Sequence, residues 1–229
     1  DFVFRQGEDE AARPADGIGQ PDRSDGRTAQ LRPPDPVALP SRPRLAGVYQ
    51  AVGTNPNGTG YRGIAALVEH GERYGFTWWI GRDVFQGAGE LAGRMLVVDW
   101  NSTAPVVYDF GAEGVLDGEW ADGTATDVLK PFGIAALGRI PANGRYDVNG
   151  RNADGSRYTG RLDIEGDGEQ YAFRWTIGSS KYSGRGRLID GVMVIDWGSV
   201  QPIVYAVRED GSLAGLWDNG RASEIATPR

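Results

Sequence analysis

Cysteine is absent from this chain of 229 residues, which removes disulfides, thiolate metal sites and thiol nucleophiles from the possible chemistry. Histidine occurs once, at His70, so the sequence cannot assemble a histidine-rich zinc site, and a single loop histidine does not by itself make a triad. Only two of the 24 basic residues are lysines, Lys130 and Lys181. The net charge of −7 and pI near 4.8 deny the chain the basic face that nucleic-acid phosphates require. No apolar run approaches the ~18 residues of a membrane-spanning helix, and beyond a few residues no stretch keeps a helical period. The chain starts at Asp1, and we expect an export signal to have been removed from it.

What is present in quantity is glycine, at 35 residues, and a repeat. Gly47 to Pro131 and Gly144 to Pro228 align without a gap at an offset of 97, with 31 identities in 85 positions. Gly47, Tyr49, Gly53, Asn55, Gly58, Tyr61 and Gly63 recur as Gly144, Tyr146, Gly150, Asn152, Gly155, Tyr158 and Gly160. Tyr74, Phe76, Trp78 and Ile80 recur as Tyr171, Phe173, Trp175 and Ile177. Asp99, Trp100, Pro105, Tyr108, Leu116, Gly118 and Trp120 recur as Asp196, Trp197, Pro202, Tyr205, Leu213, Gly215 and Trp217. These residues belong to cores and turns, and hardly any of them to catalysis.

The repeat divides the chain into an extended arm over 1–44, one module over 45–131, a linker over 132–143 and a second module over 144–229. The arm holds 7 of the 13 prolines and little to bury besides Phe2, Val3, Phe4 and Leu31, so it forms no core of its own. It is either a passive linker or a docking arm anchored by Phe2, Phe4 and Leu31. In the modules, Tyr74–Ile80 and Tyr171–Ile177 alternate aromatic and polar residues with the period of a half-buried strand. Turn pairs recur at matching places, Asn57-Gly58 with Asp154-Gly155 and Asp122-Gly123 with Asn219-Gly220. Their spacing predicts about eight strands per module, in the first near 47–53, 60–68, 73–80, 84–91, 94–100, 105–110, 115–120 and 124–129. The fold expected is all-β: two tandem antiparallel barrels of about eight strands each, with a pair of β-sandwiches as the alternative. Phe132, Ile134, Leu137 and Ile140 make the linker apolar enough to pack between the modules.

Asp99-Trp100 and Asp196-Trp197 are the most tempting chemical pair. Their carboxylates are expected to be partly buried and satisfied by backbone or tyrosine donors, with sugar binding as the functional reading. Hydrolysis would need a second carboxylate, and Glu119 is replaced by Leu216 in the other copy. Asn152 to Ser156 has the oxygen-rich look of part of a calcium loop, but Asn57 replaces the Asp154 carboxylate in the first copy and no Glu follows at the twelfth position, so a hairpin turn is expected. Tryptophans shared by both copies read as core. Trp79, opposite Thr176 in the repeat, and Phe110, opposite Val207, diverge and are the candidate partner contacts. No catalytic, metal or cofactor-binding residue stands out.

Gly144 to Gly150 with Asn152 to Ser156, Tyr171 to Trp175, Asp196-Trp-Gly198, Pro202 to Tyr205 and Leu213 to Trp217 resembles a class of small exported bacterial repeat proteins, some of them labelled fibronectin-binding. The first copy departs from that pattern at Asn101, where the second has Gly198. The resemblance implies export, to the periplasm or cell surface, and binding. The sequence thus leads to a non-catalytic exported scaffold, an accessory subunit whose arm docks it to other protein chains of a membrane-associated complex, with no nucleic-acid partner. The alternatives are a small-ligand or carbohydrate-binding barrel and, more remotely, a carboxylate-based hydrolase. An interior filled by aromatics would count against the ligand-binding alternative, and a pocket of several hundred Å³ would support it.

Overall fold

The computed structural model describes residues 44–136, 139–189 and 191–229. Phe2, Phe4, Leu31 and Leu137 lie outside them. The first module is a closed antiparallel barrel of eight strands in sequence order: β1 (Gly47–Thr54), β2 (Gly60–His70), β3 (Arg73–Ile80), β4 (Asp83–Ala92), β5 (Met95–Asp99), β6 (Val106–Phe110), β7 (Leu116–Trp120) and β8 (Ala125–Ile134). The second repeats it with β9 (Gly144–Arg151), β10 (Arg157–Gly166), β11 (Tyr171–Ile177), β12 (Ser180–Ile189), β13 (Val192–Asp196), β14 (Ile203–Val207), β15 (Leu213–Trp217) and β16 (Ala222–Pro228). Pairing of β1 with β8 and of β9 with β16 closes each sheet on itself and leaves no edge. The expected eight-stranded barrels are therefore present, and sandwiches are not.

The strand pattern carries the reason. Tyr74, Phe76 and Trp78 alternate to one face of β3 and are buried, joined inside the first barrel by Tyr49, Leu67, Leu96, Val98, Tyr108, Leu116 and Leu129. Tyr146, Leu162, Phe173, Trp175, Ile195, Tyr205 and Leu213 fill the second in the same way. Asn57 Oδ1 accepts the Thr59 amide at 3.0 Å, and Asp154 Oδ1 accepts the Ser156 amide at 2.8 Å. Both loops are thus hairpin turns that satisfy their own oxygens.

Between the barrels lies a third apolar cluster, built from the outer faces of the two sheets: Ala46, Val48, Ile64 and Ala66 from the first, Val192, Val204, Ala206 and Leu216 from the second, with Ala135 of the connection. There β14 and most of β15 are buried on both faces. The β15–β16 turn docks on the first barrel, where the Gly220 carbonyl accepts Gln50 Nε2 at 2.7 Å and Asn219 Oδ1 accepts the Gly81 amide at 3.1 Å.

Strand β8 runs past Pro131 to Ile134. The register against β1 shifts between Val48 and Tyr49, so Phe132 is an extra residue beside a proline that has no amide to donate. The connection consequently packs differently from expectation. Phe132 does join the central cluster, but Ile134 is 37% and Ile140 55% exposed, while Ala135 and Ala136 are buried in their place.

Candidate functional site

The chemistry of each barrel centres on one row of residues across five neighbouring strands. In the first barrel Tyr61 of β2 faces Gly53 of β1, Gly53 faces Asp127 of β8, Asp127 faces Gly118 of β7, and Gly118 faces Tyr108 of β6. The tyrosines are two strands from the aspartate, a separation of about 9.6 Å at ordinary strand spacing. They come near it because the intervening residues are glycines. A Cβ on Gly53 would lie 2.2 Å from Tyr61 Cζ, and one on Gly118 2.5 Å from Tyr108 Cε1, so each ring lies flat over bare backbone. The second barrel repeats the row as Tyr158, Gly150, Glu224, Gly215 and Tyr205.

Both carboxyls face inward and are almost fully buried, Asp127 at 3% and Glu224 at 4% exposure. Asp127 Oδ2 accepts hydrogen bonds from Tyr108 Oη at 2.6 Å and Trp78 Nε1 at 3.2 Å. Glu224 Oε1 accepts from Trp175 Nε1 at 2.9 Å and from Tyr205 Oη, and its Oε2 accepts from Tyr158 Oη at 2.7 Å. One methylene separates the two arrangements. The longer Glu224 reaches its second tyrosine, whereas the Tyr61 hydroxyl donates a hydrogen bond to the Thr126 carbonyl at 3.0 Å and Asp127 Oδ1 is left buried without a partner. Burial pushes both carboxyls above their ordinary range against the pull of these donors, and burial followed by the neighbouring carboxylate pushes the Tyr61, Tyr108 and Tyr158 hydroxyls up.

Above each carboxyl the barrel is open. In the first, a cavity of about 360 Å³ is walled by Tyr61, Trp78, Ile80, Phe85, Trp100, Val106, Tyr108 and Trp120, with Asn55 and Asp83 also in its lining. Trp100 and Trp120 meet edge to face at 5.5 Å and 84°, and Phe85 meets Trp100 at 6.1 Å and 68°. Trp100 is fixed by donating to the Ala104 carbonyl at 3.1 Å. The second barrel has a matching cavity of about 360 Å³ lined by Tyr158, Trp175, Ile177, Tyr182, Trp197, Ile203, Trp217 and Glu224, with Trp197 donating to the Gln201 carbonyl at 3.0 Å. Neither lining contains a lysine, arginine or histidine.

The residues singled out from sequence fall elsewhere. Asp99 and Asp196 are exposed, contrary to the burial expected of them. Each takes the amide two residues on, Asn101 at 3.0 Å and Gly198 at 3.0 Å, and so shapes the turn that presents Trp100 or Trp197. The aspartates point outward because they share a face with Val97 and Val194, which is the outer one. Trp79 is half-buried against the cluster between the barrels, and Phe110 packs on the first core. Among the described residues no group of three or more His, Asp or Glu is placed to hold a metal. The residues missed were Asp127 and Glu224. Their signal was a pair of acids at equivalent positions, similar in kind without being identical, beside repeated tyrosines and glycines.

The buried carboxyls set a pH dependence of stability. Between the unfolded values near 3.8 and 4.5 and the raised folded values, the native state holds more protons than the unfolded one. This contribution is therefore complete below the unfolded values and is lost as pH rises through the folded ones. The Asp127→Asn/Glu224→Gln double variant is expected to lack it. The wild-type melting temperature relative to that variant should fall as pH rises above about 4. A constant difference between their melting temperatures across that range would contradict the assignment.

No protein-family model matches the chain, and no curated protein matches it. Among solved structures it is similar to a protein of unknown function from the DUF3598 family of Nostoc punctiforme, at 12% identity and a TM-score of 0.26, over 80% of this chain and 95% of that one. It is also similar to a provisionally assigned outer membrane protein of Bacteroides fragilis, at 10% identity and a TM-score of 0.27, over 81% of this chain and 98% of that one. Likeness this distant transfers no role.

Proposed function

We propose that this protein is an exported, non-catalytic small-molecule binder whose two barrels each hold a ligand at the aromatic mouth. The observation that carries the reading is the open cavity of about 360 Å³ above a buried carboxyl, present in both copies. A purely structural barrel gains by filling its interior, since voids forfeit packing energy. Here three tryptophans per barrel line a cavity instead of closing it, and backbone hydrogen bonds hold Trp100 and Trp197 in place. A few fixed polar groups in an apolar concave wall is the ordinary composition of a ligand site. The scaffold reading rests on the arm, and the barrels supply no separate observation in its favour.

Titration with the neutral fluorophore N-phenyl-1-naphthylamine tests the reading. Emission should rise on binding and saturate near two probes per chain. Ile80→Trp and Ile177→Trp, which fill one mouth each, should each remove one site. No enhancement, or full binding by the double variant, would sink the reading.

A further inference from the structure

We infer that the two pockets differ in ligand class, and that the first barrel takes an organic ammonium whose N–H meets Asp127 Oδ1 while its carbon body lies among Trp78, Trp100 and Trp120. This rests on the binding function proposed above. Two observations point to the cation and a third to its carbon body. A buried acceptor with no partner is unfavourable and is relieved by an incoming donor. The walls of the mouth, Phe85, Trp100 and Trp120, give the carbon body attached to that ammonium an apolar seat. The lining carries two acids, Asp127 and the rim residue Asp83, and no base, so the pocket complements a cation and opposes an anion.

In the second barrel the same position is closed. Glu224 has donors on both oxygens, and Ser180 stands where the first barrel has Asp83. No buried side-chain oxygen of that lining lacks a partner, so the second pocket suits a neutral ligand.

The carboxyl must be ionised to hold the cation, and its proton leaves to solvent as the ammonium enters. The groups facing it are Tyr61 from β2 and Tyr108 from β6. Strand β3 contributes the indole of Trp78, β1 and β7 contribute glycines, and Asp83 lies exposed at the rim. Neither tyrosine ionises at moderate pH, since both hydroxyls are pushed up. Ammonium affinity should therefore rise with pH until Asp127 is fully ionised and then level off, whereas the affinity for a neutral alcohol should not.

The test is calorimetric titration of the full chain with hexylammonium chloride and with 1-hexanol. Hexylammonium is expected to bind roughly tenfold or more tightly than hexanol, as a charge-assisted hydrogen bond would give. Asp127→Glu lengthens the acid to match the second barrel, lets Tyr61 reach it and should erase the preference. Glu224→Asp should create a second ammonium site. Both substitutions keep a carboxyl in place and exchange residues already found at equivalent positions, so folding is retained, which melting curves check. Equal or better binding of hexanol, or a preference that survives Asp127→Glu, would overturn the assignment of ligand class while leaving the binding function intact. If neither compound binds, and N-phenyl-1-naphthylamine does not either, both readings fall together.

Discussion

Ile64→Arg is expected to part the two barrels while leaving each one folded. Ile64 is fully buried in the cluster between them, and arginine is what the second copy carries at the equivalent position, Arg161, where the side chain is exposed. Inserting an unpaired charge at a closed apolar seam costs roughly 3–5 kcal/mol, comparable with what such a seam contributes. Each barrel keeps its own core and its own closed sheet, so the cost falls on the contact between them. Small-angle scattering should show a larger radius of gyration for the variant, and urea unfolding should resolve two transitions where the wild type shows one. An unchanged radius together with a single transition would mean that the seam does not hold the barrels together.

The same seam explains why two copies of one module diverged as they did. Its first half is Ala46, Val48, Ile64 and Ala66, whose counterparts are Asn143, Arg145, Arg161 and Asp163. Its second half includes Ala206 and Leu216, whose counterparts are Asp109 and Glu119. The contact is heterologous, one face of the first barrel against a different face of the second. Such a contact repeats without end if each module carries both faces. Here the second module carries polar or charged residues at all four positions of the first half, and the first module places Asp109 and Glu119 beside Met95 and Val107 at the positions of the second, so charges interrupt both faces outside the pair.

This divergence is legible in the sequence as the replacement of Glu119 by Leu216, the same difference that argues against a catalytic acid at that position. Strand count, turn positions and closure could be read because period-2 alternation and Asn-Gly or Asp-Gly pairs are local signals that recur in register. The site could not be read the same way, since it is a row across five strands whose members are distant in sequence, Tyr158 and its carboxyl partner Glu224 lying 66 residues apart. Its tyrosines and glycines stood among the identities, while its acid was hidden because Asp127 and Glu224 differ by one methylene. Asp99 and Asp196 drew attention by being identical, and they are turn formers on the outer face.

Gly150→Val tests the row itself, with an expected loss of about 3–5 kcal/mol from overpacking together with the lost hydrogen bond to a carboxyl. The three atoms nearest a Cβ at that position all belong to Tyr158, with Cζ at 2.0 Å and Oη at 2.4 Å. A valine must therefore expel the ring, and with it the donor that satisfies Glu224 Oε2. A strand valine is otherwise favourable relative to glycine, so the whole penalty is assigned to one neighbour, and a double-mutant cycle can isolate it. In a Tyr158→Ala background the space under the ring is already free. There Gly150→Val should cost nothing or stabilise, giving a coupling of several kcal/mol in urea unfolding followed by tryptophan fluorescence. If valine costs the same in both backgrounds, the glycine serves the backbone of β9 and not the tyrosine above it. The carboxyl would then owe its burial to the barrel alone, and the one-methylene difference between Asp127 and Glu224 would lose its consequence for what each pocket can hold.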